Sequence, residues 1–529
     1  MAGNKGFRNL PKLERLKRGR LPPSPPLKPS PKQPFRPAEP RRASISLSAL
    51  SGLHRKLILS IVELLDPAVE AYLVGGALRD VLLGRSPAED LDLAVPAGAL
   101  ETARVLADRL QGRYVCMDEE RGAARVVLTT EDGQAHVDLT DFRDATLGAD
   151  LQGRDFTIDA MAVALRELAK TGEAAVIDPT GGLGDLARRR LRLAGPRAFA
   201  EDPVRALKGV RLAHTLGFHL DPGVRRAAGI VAPRLGEVAP ERIRDELAGI
   251  LASSRAGAAL RVLDRLALLA VILPESIPMK STSQPLPHRF SVWEHSVRTV
   301  EAADRLLAQL GELDPYGQEL AVHLGEPLGD GFTRREVLKL AALLHDVGKP
   351  RCRQLVEGRI RFFGHDLVGA EMAREIARRL RLSNAVTRVL VQLVRQHLRL
   401  MHLSQVPEIT RRARYRFFKD LGPDARDLLL LTLADAAAVR GVSPIEVWRA
   451  PAGRLVGDFF RGLEEEREQA AVPQLLRGGD VMAAFGLAPG RAVGRLLAMA
   501  REAQDLGLVK TREAALAYLA GHKDDALDS

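Results

Sequence analysis

The pattern of apolar and polar positions divides the chain into a front part that mixes periods and a long remainder that is helical. Near the front, the apolar run Tyr72-Leu73-Val74 ends in Gly75-Gly76, and a helix-like segment from Ala77 to Leu83 stops at Gly84. The chain then returns as Asp90-Leu91-Asp92-Leu93-Ala94-Val95. That return alternates polar and apolar, the period of a half-buried strand, so Asp90 and Asp92 share one face. Leu50 to Leu65 and Leu100 to Leu110 carry helical spacing. Arg125 to Thr130 and His136 to Thr140 read as strands joined by a Glu131-Asp132-Gly133 turn. Strand, helix and strand alternate over ~100 residues, which predicts a sheet covered by helices. From Leu183 onward the spacing is almost purely helical, broken at Gly195-Pro196, Gly217, Asp221-Pro222 and Pro240. A Pro- and Ser-rich stretch at 276–290 marks a boundary. A second helical region follows from Ser291 to Arg440, with a Gly-rich interruption at 324–333, and residues 441–529 are helical with turns at Gly478-Gly479 and Pro489-Gly490.

Composition sharpens this picture in three ways. A length of 529 residues allows three or four domains of ~150 residues each. Apolar residues make up 46% and aromatics only 4%, so the cores are built of Leu, Ala and Val. No apolar run approaches the ~20 residues that span a bilayer. Cys116 and Cys352 are the only cysteines, which leaves no disulfide framework and no Cys-based zinc site, and points to a reducing, cytoplasmic compartment. The net charge of +11 is unevenly placed: residues 1–42 hold twelve Lys or Arg against two Glu, and ten of the 32 prolines. Residues 1–48 therefore read as a disordered, polyproline-like basic arm suited to gathering RNA by counterion release.

Candidate chemistry centres first on Asp90 and Asp92. Two carboxylates on one face repel unless a cation sits between them. Paired glycines at a helix N-terminus bring backbone N–H groups close to an anion. A metal pair beside a phosphate cradle suggests nucleotidyl transfer. Asp138, on the strand His136 to Thr140, offers a third carboxylate for a two-Mg²⁺ site; Asp141 faces the other way and is the less suitable.

Five stretches then carry a resemblance. LVGGALRDVLLG…EDLDLAV, GRDFTIDAMA (153–162), DPTGGLGDLARRRLRLAG (178–195), EDPVRALKGVRLA (201–213) and PERIRDELAGIL (240–251) occur in the order seen in class II tRNA nucleotidyltransferases. That family comprises the bacterial CCA-adding enzymes, their CC-adding and A-adding relatives, and poly(A) polymerases. The resemblance implies that Asp90 and Asp92 hold metal, with Asp138 in the place of the third carboxylate. It implies that Gly75, Gly76 and Arg79 hold the triphosphate, and that Arg154 and Asp155 help fix triphosphate and ribose. Asp202 and Arg205 would read the Watson–Crick edge of CTP or ATP: an acid accepts from the exocyclic amine that C and A share, and Arg donates to ring acceptors. Without the neighbouring motifs, those two read as a one-turn helix ion pair. Three departures stand out. Gly153 replaces the first Arg of the family's RRD motif, Asp159 replaces an Asn, and only ten residues, DATLGADLQG, separate Arg143 from Arg154. Members that complete the whole CCA end carry a longer flexible loop there, so the short one resembles partial-activity, notably CC-adding, members.

A second constellation lies at 291–440: His295, the run LLHDVGKP with His345 and Asp346, then His365, His397 and Asp435. Imidazole and carboxylate ligands on separate helices suit Mg²⁺, Mn²⁺, Ni²⁺ or Fe better than a thiolate site. The order resembles the HD phosphohydrolase superfamily. By that resemblance His295, His345, Asp346 and Asp435 bind a first metal, and His365 and His397 a second, with Asp346 bridging. The implied reaction is hydrolysis of 2′,3′-cyclic or 2′ phosphates. His54, His214, His219, His288, His323, His402 and His522 read as structural or surface residues.

The combined expectation is an α+β protein. A polymerase-beta-like head with a mixed sheet (49–178) leads to a helical neck (179–275), an HD-type α domain (285–440) and a helical tail (441–529) that resembles the tRNA-binding C-terminal region of HD-bearing CCA enzymes. RNA contact is expected at Arg188, Arg189, Arg190 and Arg192, and at Arg411, Arg412, Arg414, Arg416 and Lys419, where Tyr415, Phe417 and Phe418 are placed to stack on bases. The leading function is a tRNA 3′-end nucleotidyltransferase using CTP, ATP or both. Two alternatives are a poly(A) polymerase and a metal phosphohydrolase whose inactive head only binds RNA. No segment points to a protein partner or a membrane.

Overall fold

The computed structural model describes residues 43–85, 90–130, 133–470 and 473–522. The basic arm, 1–42, and the Glu131-Asp132 part of the expected turn lie outside the described residues.

The front of the chain forms an eight-stranded mixed sheet: β1 (Ser44–Ser46), β2 (Tyr72–Val74), β3 (Asp90–Val95), β4 (Arg113–Asp118), β5 (Ala123–Thr130), β6 (Gly133–Asp141), β7 (Ala162–Ala164) and β8 (Glu173–Ile177). Their spatial order is β1-β8-β7-β2-β3-β6-β5-β4. Only β3 and β6 run parallel; the other neighbours are antiparallel. The parallel pair is possible because the helix Ala99–Arg109 and the strands β4 and β5 intervene, long enough for a crossover. The expected hairpin is present as β5 and β6, with Arg125 opposite Asp138. Helices Gly52–Leu64 and Ala99–Arg109 fall where the spacing placed them; Ser51 caps the first through its side chain, and Asp141 receives the Ala99 N–H at the start of the second. That contact gives Asp141 a structural partner at the helix start.

Past β8 the chain is helical except for three small strand pairs that the spacing did not show: Arg190–Leu191 with His219–Leu220, Pro327–Gly329 with Phe332–Thr333, and Gln354–Val356 with Arg359–Arg361. The middle one occupies the Gly-rich interruption. The Pro- and Ser-rich stretch holds a short helix, Ser276–Ser281, before Ser291 caps the helix Val292–Ala308. Gly478 and Gly479 open the helix Gly478–Phe485 instead of forming a turn. A continuous buried apolar core runs from Ile45 to Phe460, and Leu476 to Leu519 contribute a second, separate core. No helix among the described residues is long and apolar enough to cross a membrane.

Candidate functional site

A cavity of about 560 Å³ brings Gly75, Gly76, Arg79, Asp92, Asp138, Arg154, Asp155, Asp202 and Arg205 together, residues spread over 130 positions of sequence. Register builds its floor. Parallel pairing sets Asp92 directly beside Asp138, while Asp90 sits one pleat earlier, beside His136. Gly75 has φ +75°, and a Cβ there would collide with the Asp92 carboxylate, so the turn from β2 tolerates only glycine. The Gly76 N–H donates to Asp92; burial and the neighbouring Asp138 nonetheless push the Asp92 pKa up. A carboxylate whose ionisation is made costly by burial and a neighbouring acid fits beside a cation.

The three acids do not converge on one point. Arg125, opposite in the hairpin, donates two hydrogen bonds of 2.7 Å to Asp138. Asp90 is half exposed, 2.9 Å from His136 Nδ1, and stands outside the cavity wall. Arg79 is also occupied: Nη1 donates to Asp159 at 2.7 Å and Nε to Asp80 at 2.9 Å. Burial opposes its charge, but the two carboxylates prevail and raise its pKa. The Asp at 159, one of the departures noted above, therefore neutralises the arginine assigned to the triphosphate.

Positive charge comes from elsewhere. The pKa of Arg143 is lowered by burial and by Arg154 and Arg205, a sign that three guanidiniums converge on the cavity. Arg154 Nε donates to Asp150 at 3.1 Å, and the Arg143 N–H donates to the same buried acid. Asp150 lies in the helix Leu147–Gln152, capped by Thr146, so the ten-residue stretch 144–153 is an anchored turn of helix. Asp155 accepts from Lys208 Nζ at 2.5 Å; although burial works against its charge, Lys208 and Arg205 hold its pKa below the usual range. Asp202 and Arg205 are 3.8 Å apart and form no tight pair: Arg242 Nη2 holds Asp202 at 2.6 Å, and Arg205 Nη1 donates to the Ala198 carbonyl. Arg143, Lys208, Arg211, Arg242 and Glu246 line the cavity without having been singled out by motif. The signal was spacing: 205, 208 and 212 share one helix face, as do 242 and 246.

The second constellation assembles as expected. Ligand atoms of His295, His345 and Asp435 lie within 4.8 Å of one another, and so do those of Asp346, His365 and His397. Asp346 joins the groups: Oδ2 lies 3.3 Å from His345 Nε2, and Oδ1 lies 3.4 Å from His365 Nε2 and 3.6 Å from His397 Nε2. His345, His365 and His397 each place Nδ1 within 2.9 Å of a backbone carbonyl, of Ala342, Phe362 and Val394. A carbonyl only accepts, so Nδ1 carries the proton and the Nε2 lone pair faces the centre. Lone pairs of His365 and His397 then face each other at 3.3 Å, which metal ions would relieve. Lys349 Nζ donates to Asp346 Oδ2 at 2.6 Å, and His288 packs edge-on against His295, 4.8 Å between ring centres. His288, read as structural or surface, thus lies beside the constellation. His323 is confirmed as structural, against buried Asp427 at 3.0 Å.

The expected stacking of Tyr415, Phe417 and Phe418 is corrected, and several of the expected arginines are engaged within the chain. Arg190 and Arg192 both bind the fully buried Asp185, at 2.6 and 2.8 Å, which leaves Arg188 and Arg189 exposed. On the helix Arg411–Leu421, Tyr415, Phe417 and Phe418 are buried and cannot stack on bases; Phe417 and Phe418 pack on Phe459. Arg412 pairs with Glu502 at 2.9 Å, Arg411 donates to the Asp505 carbonyl, and Arg414 lies over the Phe459 ring. Arg416 and Lys419 remain exposed, with the Lys419 ammonium over the Tyr415 ring.

A mixed sheet presenting adjacent acids to a cationic cavity, followed by helices that gather four histidines and two aspartates, defines a nucleotidyltransferase-type head joined to an HD-type domain. Residues 71–192 match the model described as Poly A polymerase head domain, 217–279 that of a probable RNA and SrmB-binding site of polymerase A, and 292–438 the HD domain. An A-adding tRNA nucleotidyltransferase of Deinococcus radiodurans is 38% identical over 85% of this chain and 94% of its own length. A CC-adding tRNA nucleotidyltransferase of Thermus thermophilus is also 38% identical, over 85% and 93%. The chain belongs to the tRNA nucleotidyltransferase family of enzymes. Its fold is that of the Thermotoga maritima CCA-adding enzyme solved with tRNA, at TM-score 0.56 and 19% identity over 90% of this chain and 98% of that one.

Proposed function

We propose that the head adds cytidylates from CTP to tRNA 3′ ends and stops short of the terminal A. The carrying observation is the stretch 144–153: capped by Thr146 and pinned through Asp150 to Arg143 and Arg154, it holds no slack for a specificity change from C to A. Addition of A alone from ATP is the second reading, favoured by the equal likeness to the A-adding relative. Asp90 and Asp92, with Asp138, are the residues that would hold Mg²⁺, which supplies charge neutralisation for the leaving pyrophosphate. The Gly76 N–H, Arg143, Arg154 and Lys208 would hold the triphosphate, with Arg79 in support behind Asp159. Asp202 and Arg205 would take up the base edge, exchanging their hold on Arg242 and Ala198.

In this reading the His295/His345/Asp346/Asp435 and Asp346/His365/His397 groups hold Mg²⁺, Mn²⁺ or Ni²⁺ and hydrolyse 2′,3′-cyclic or 2′ phosphates. The fit of the donors supports it, since three imidazoles already have their second nitrogen committed to carbonyls. The domain division at 49–178, 179–275, 285–440 and 441–529, and a cytoplasmic location in keeping with two free cysteines, belong to the same reading. Incubation with tRNAs ending before the CCA, after C and after CC, with CTP or ATP singly, tests the head. Two cytidylates from CTP and nothing from ATP are expected; extension of the CC end by ATP overturns the C-only reading.

A further inference from the structure

The HD-type centre carries one imidazole more than its ligand groups use. His288, His295, His345, His397 and His365 follow one another edge to face, with successive ring centres 4.8, 5.1, 5.3 and 5.2 Å apart. The last four belong to the two ligand groups; His288, at the head of the row, belongs to neither. It stands at the open end. The Asp435 side chain, 3.0 Å from His295, is 34% exposed, whereas those of His295, His345, Asp346, His365 and His397 are 9% exposed or less.

The loop that carries His288 is built to hold it there. Between the helices Ser276–Ser281 and Val292–Ala308 the chain closes on itself. The Val292 N–H donates to the Thr282 carbonyl at 3.0 Å, Gln284 Nε2 to the Phe290 carbonyl at 3.3 Å, and the His288 N–H to the Pro285 carbonyl at 3.1 Å. Gln284 Oε1 accepts from Lys349 Nζ at 2.7 Å, and the same ammonium donates to Asp346, the ligand that joins the two groups. The loop is thus tied to the centre, and Lys349, Asp346 and Asp435 all lie within electrostatic reach of the His288 ring. Its Nδ1 is nonetheless buried without a hydrogen-bond partner among the described residues. His345, His365 and His397 differ in this respect, since each commits Nδ1 to a carbonyl. A buried ring nitrogen kept unpaired is costly, and in a native structure it calls for a role.

We propose that His288 is a substrate-contacting residue of the HD-type centre, whose Nδ1–H donates a hydrogen bond to a phosphate oxygen of a 2′,3′-cyclic or 2′ phosphate held at the open end. On the reading of that centre as a phosphohydrolase, on which this contact rests, His288 belongs to the substrate side and not to the metal side. A phosphate oxygen only accepts, and a hydrogen bond to it is strengthened by its charge. His288 supplies the donor that the three carbonyl-bound imidazoles do not, and that Lys349, shared between Asp346 and Gln284, supplies only by giving up a partner.

The test uses the full chain loaded with Mn²⁺, as wild type, H288F, H288N and H288Q. Asn places an amide N–H near the position of Nδ1, whereas Gln reaches toward that of Nε2. Calorimetric binding of 2′-AMP, steady-state hydrolysis of 2′,3′-cAMP and metal content are read on each preparation. H288F is expected to keep the wild-type metal content and to raise both the Kd for 2′-AMP and the KM for 2′,3′-cAMP by at least ~tenfold, about what one hydrogen bond to a charged group contributes. A contact equally strong in the ground and transition states moves KM and not kcat. H288N is expected to regain most of the lost affinity and H288Q little; should H288F fail to fold, H288N against H288Q carries the comparison. Wild-type affinity in folded H288F overturns the proposal. So does metal loss from H288F, which makes His288 a support for the ligands, and so does H288N binding no better than H288Q. Wild type that binds no 2′-AMP overturns it as well. Wild type that binds 2′-AMP through His288 without hydrolysing 2′,3′-cAMP supports the contact and defeats the hydrolytic reading alone. His288 does not line the head cavity, so nucleotide bound there is common to every variant.

Discussion

At the scale of single residues, the head turns on contacts of one atom with another. Gly75 is held at φ +75° with no room for a Cβ beside the Asp92 carboxylate. Gly75→Ala is therefore expected to displace Asp92 and cut CTP incorporation by at least ~100-fold, the penalty typical of misplacing a reacting group by an ångström, while tRNA binding persists; incorporation and filter binding on the same sample check this. Asp159 gives a second expectation. It accepts from Arg79 at 2.7 Å and cancels charge at the cavity wall. Asp159→Asn keeps an acceptor and frees that charge, so KM for CTP should fall several-fold; an unchanged or higher KM shows that Arg79 does not reach the triphosphate. The facing acids were legible in sequence because strand alternation puts 90, 92 and 138 on one side. The hold of Arg125 on Asp138 was not, because it depends on hairpin register, which sets 125 opposite 138.

At the scale of elements, buried ion pairs join pieces that the spacing treats as separate. The Asp155–Lys208 pair links the segment after β6 to the helix Arg205–Leu216. The Asp155 pKa is depressed by Lys208, so the stability it lends is full above the unfolded value of about 3.9 and is lost as pH falls through the depressed one. Lys208 is raised by Asp155 and Asp159 against burial, so its share is full below about 10.4 and is lost only as pH rises through the raised value. Denaturation of wild type and Asp155→Asn should differ by a constant amount through neutral pH, the gap closing in acid below the usual Asp range. Asp185 does comparable work with Thr157, Arg190 and Arg192. Asp185→Ala leaves the buried Thr157 hydroxyl without its acceptor and two part-exposed guanidiniums without their partner, and is expected to cost about 1–3 kcal/mol in urea unfolding. In sequence, RRRLR reads as a basic surface; its partner, five residues before Arg190, looks like any exposed helix acid. The aromatic residues at 415, 417 and 418 misled for a related reason. Basic neighbours suggested RNA stacking, but the helix buries all three and packs Phe417 and Phe418 on Phe459, a residue far along the chain that spacing alone could not place.

At the scale of the whole molecule, two centres with different chemistry occupy one chain. The HD-type grouping was legible in the order of its histidines and aspartates, and the helices only had to bring them together, which they do around Asp346. If the centres act independently, a defect in one leaves the other intact. Chelation should silence both, and metal analysis of His345→Ala should show metal lost from the HD-type centre while tRNA binding and CTP incorporation continue with added Mg²⁺.

The most direct measurement sets Asp92→Ala beside wild type in two assays on one preparation: incorporation of CTP into tRNA lacking its CCA end, and Mn²⁺- or Ni²⁺-supported hydrolysis of 2′,3′-cAMP. Asp92→Ala is expected to abolish incorporation and leave hydrolysis at the wild-type rate. Incorporation that survives Asp92→Ala would contradict the placement of nucleotidyl transfer at the β3–β6 acids.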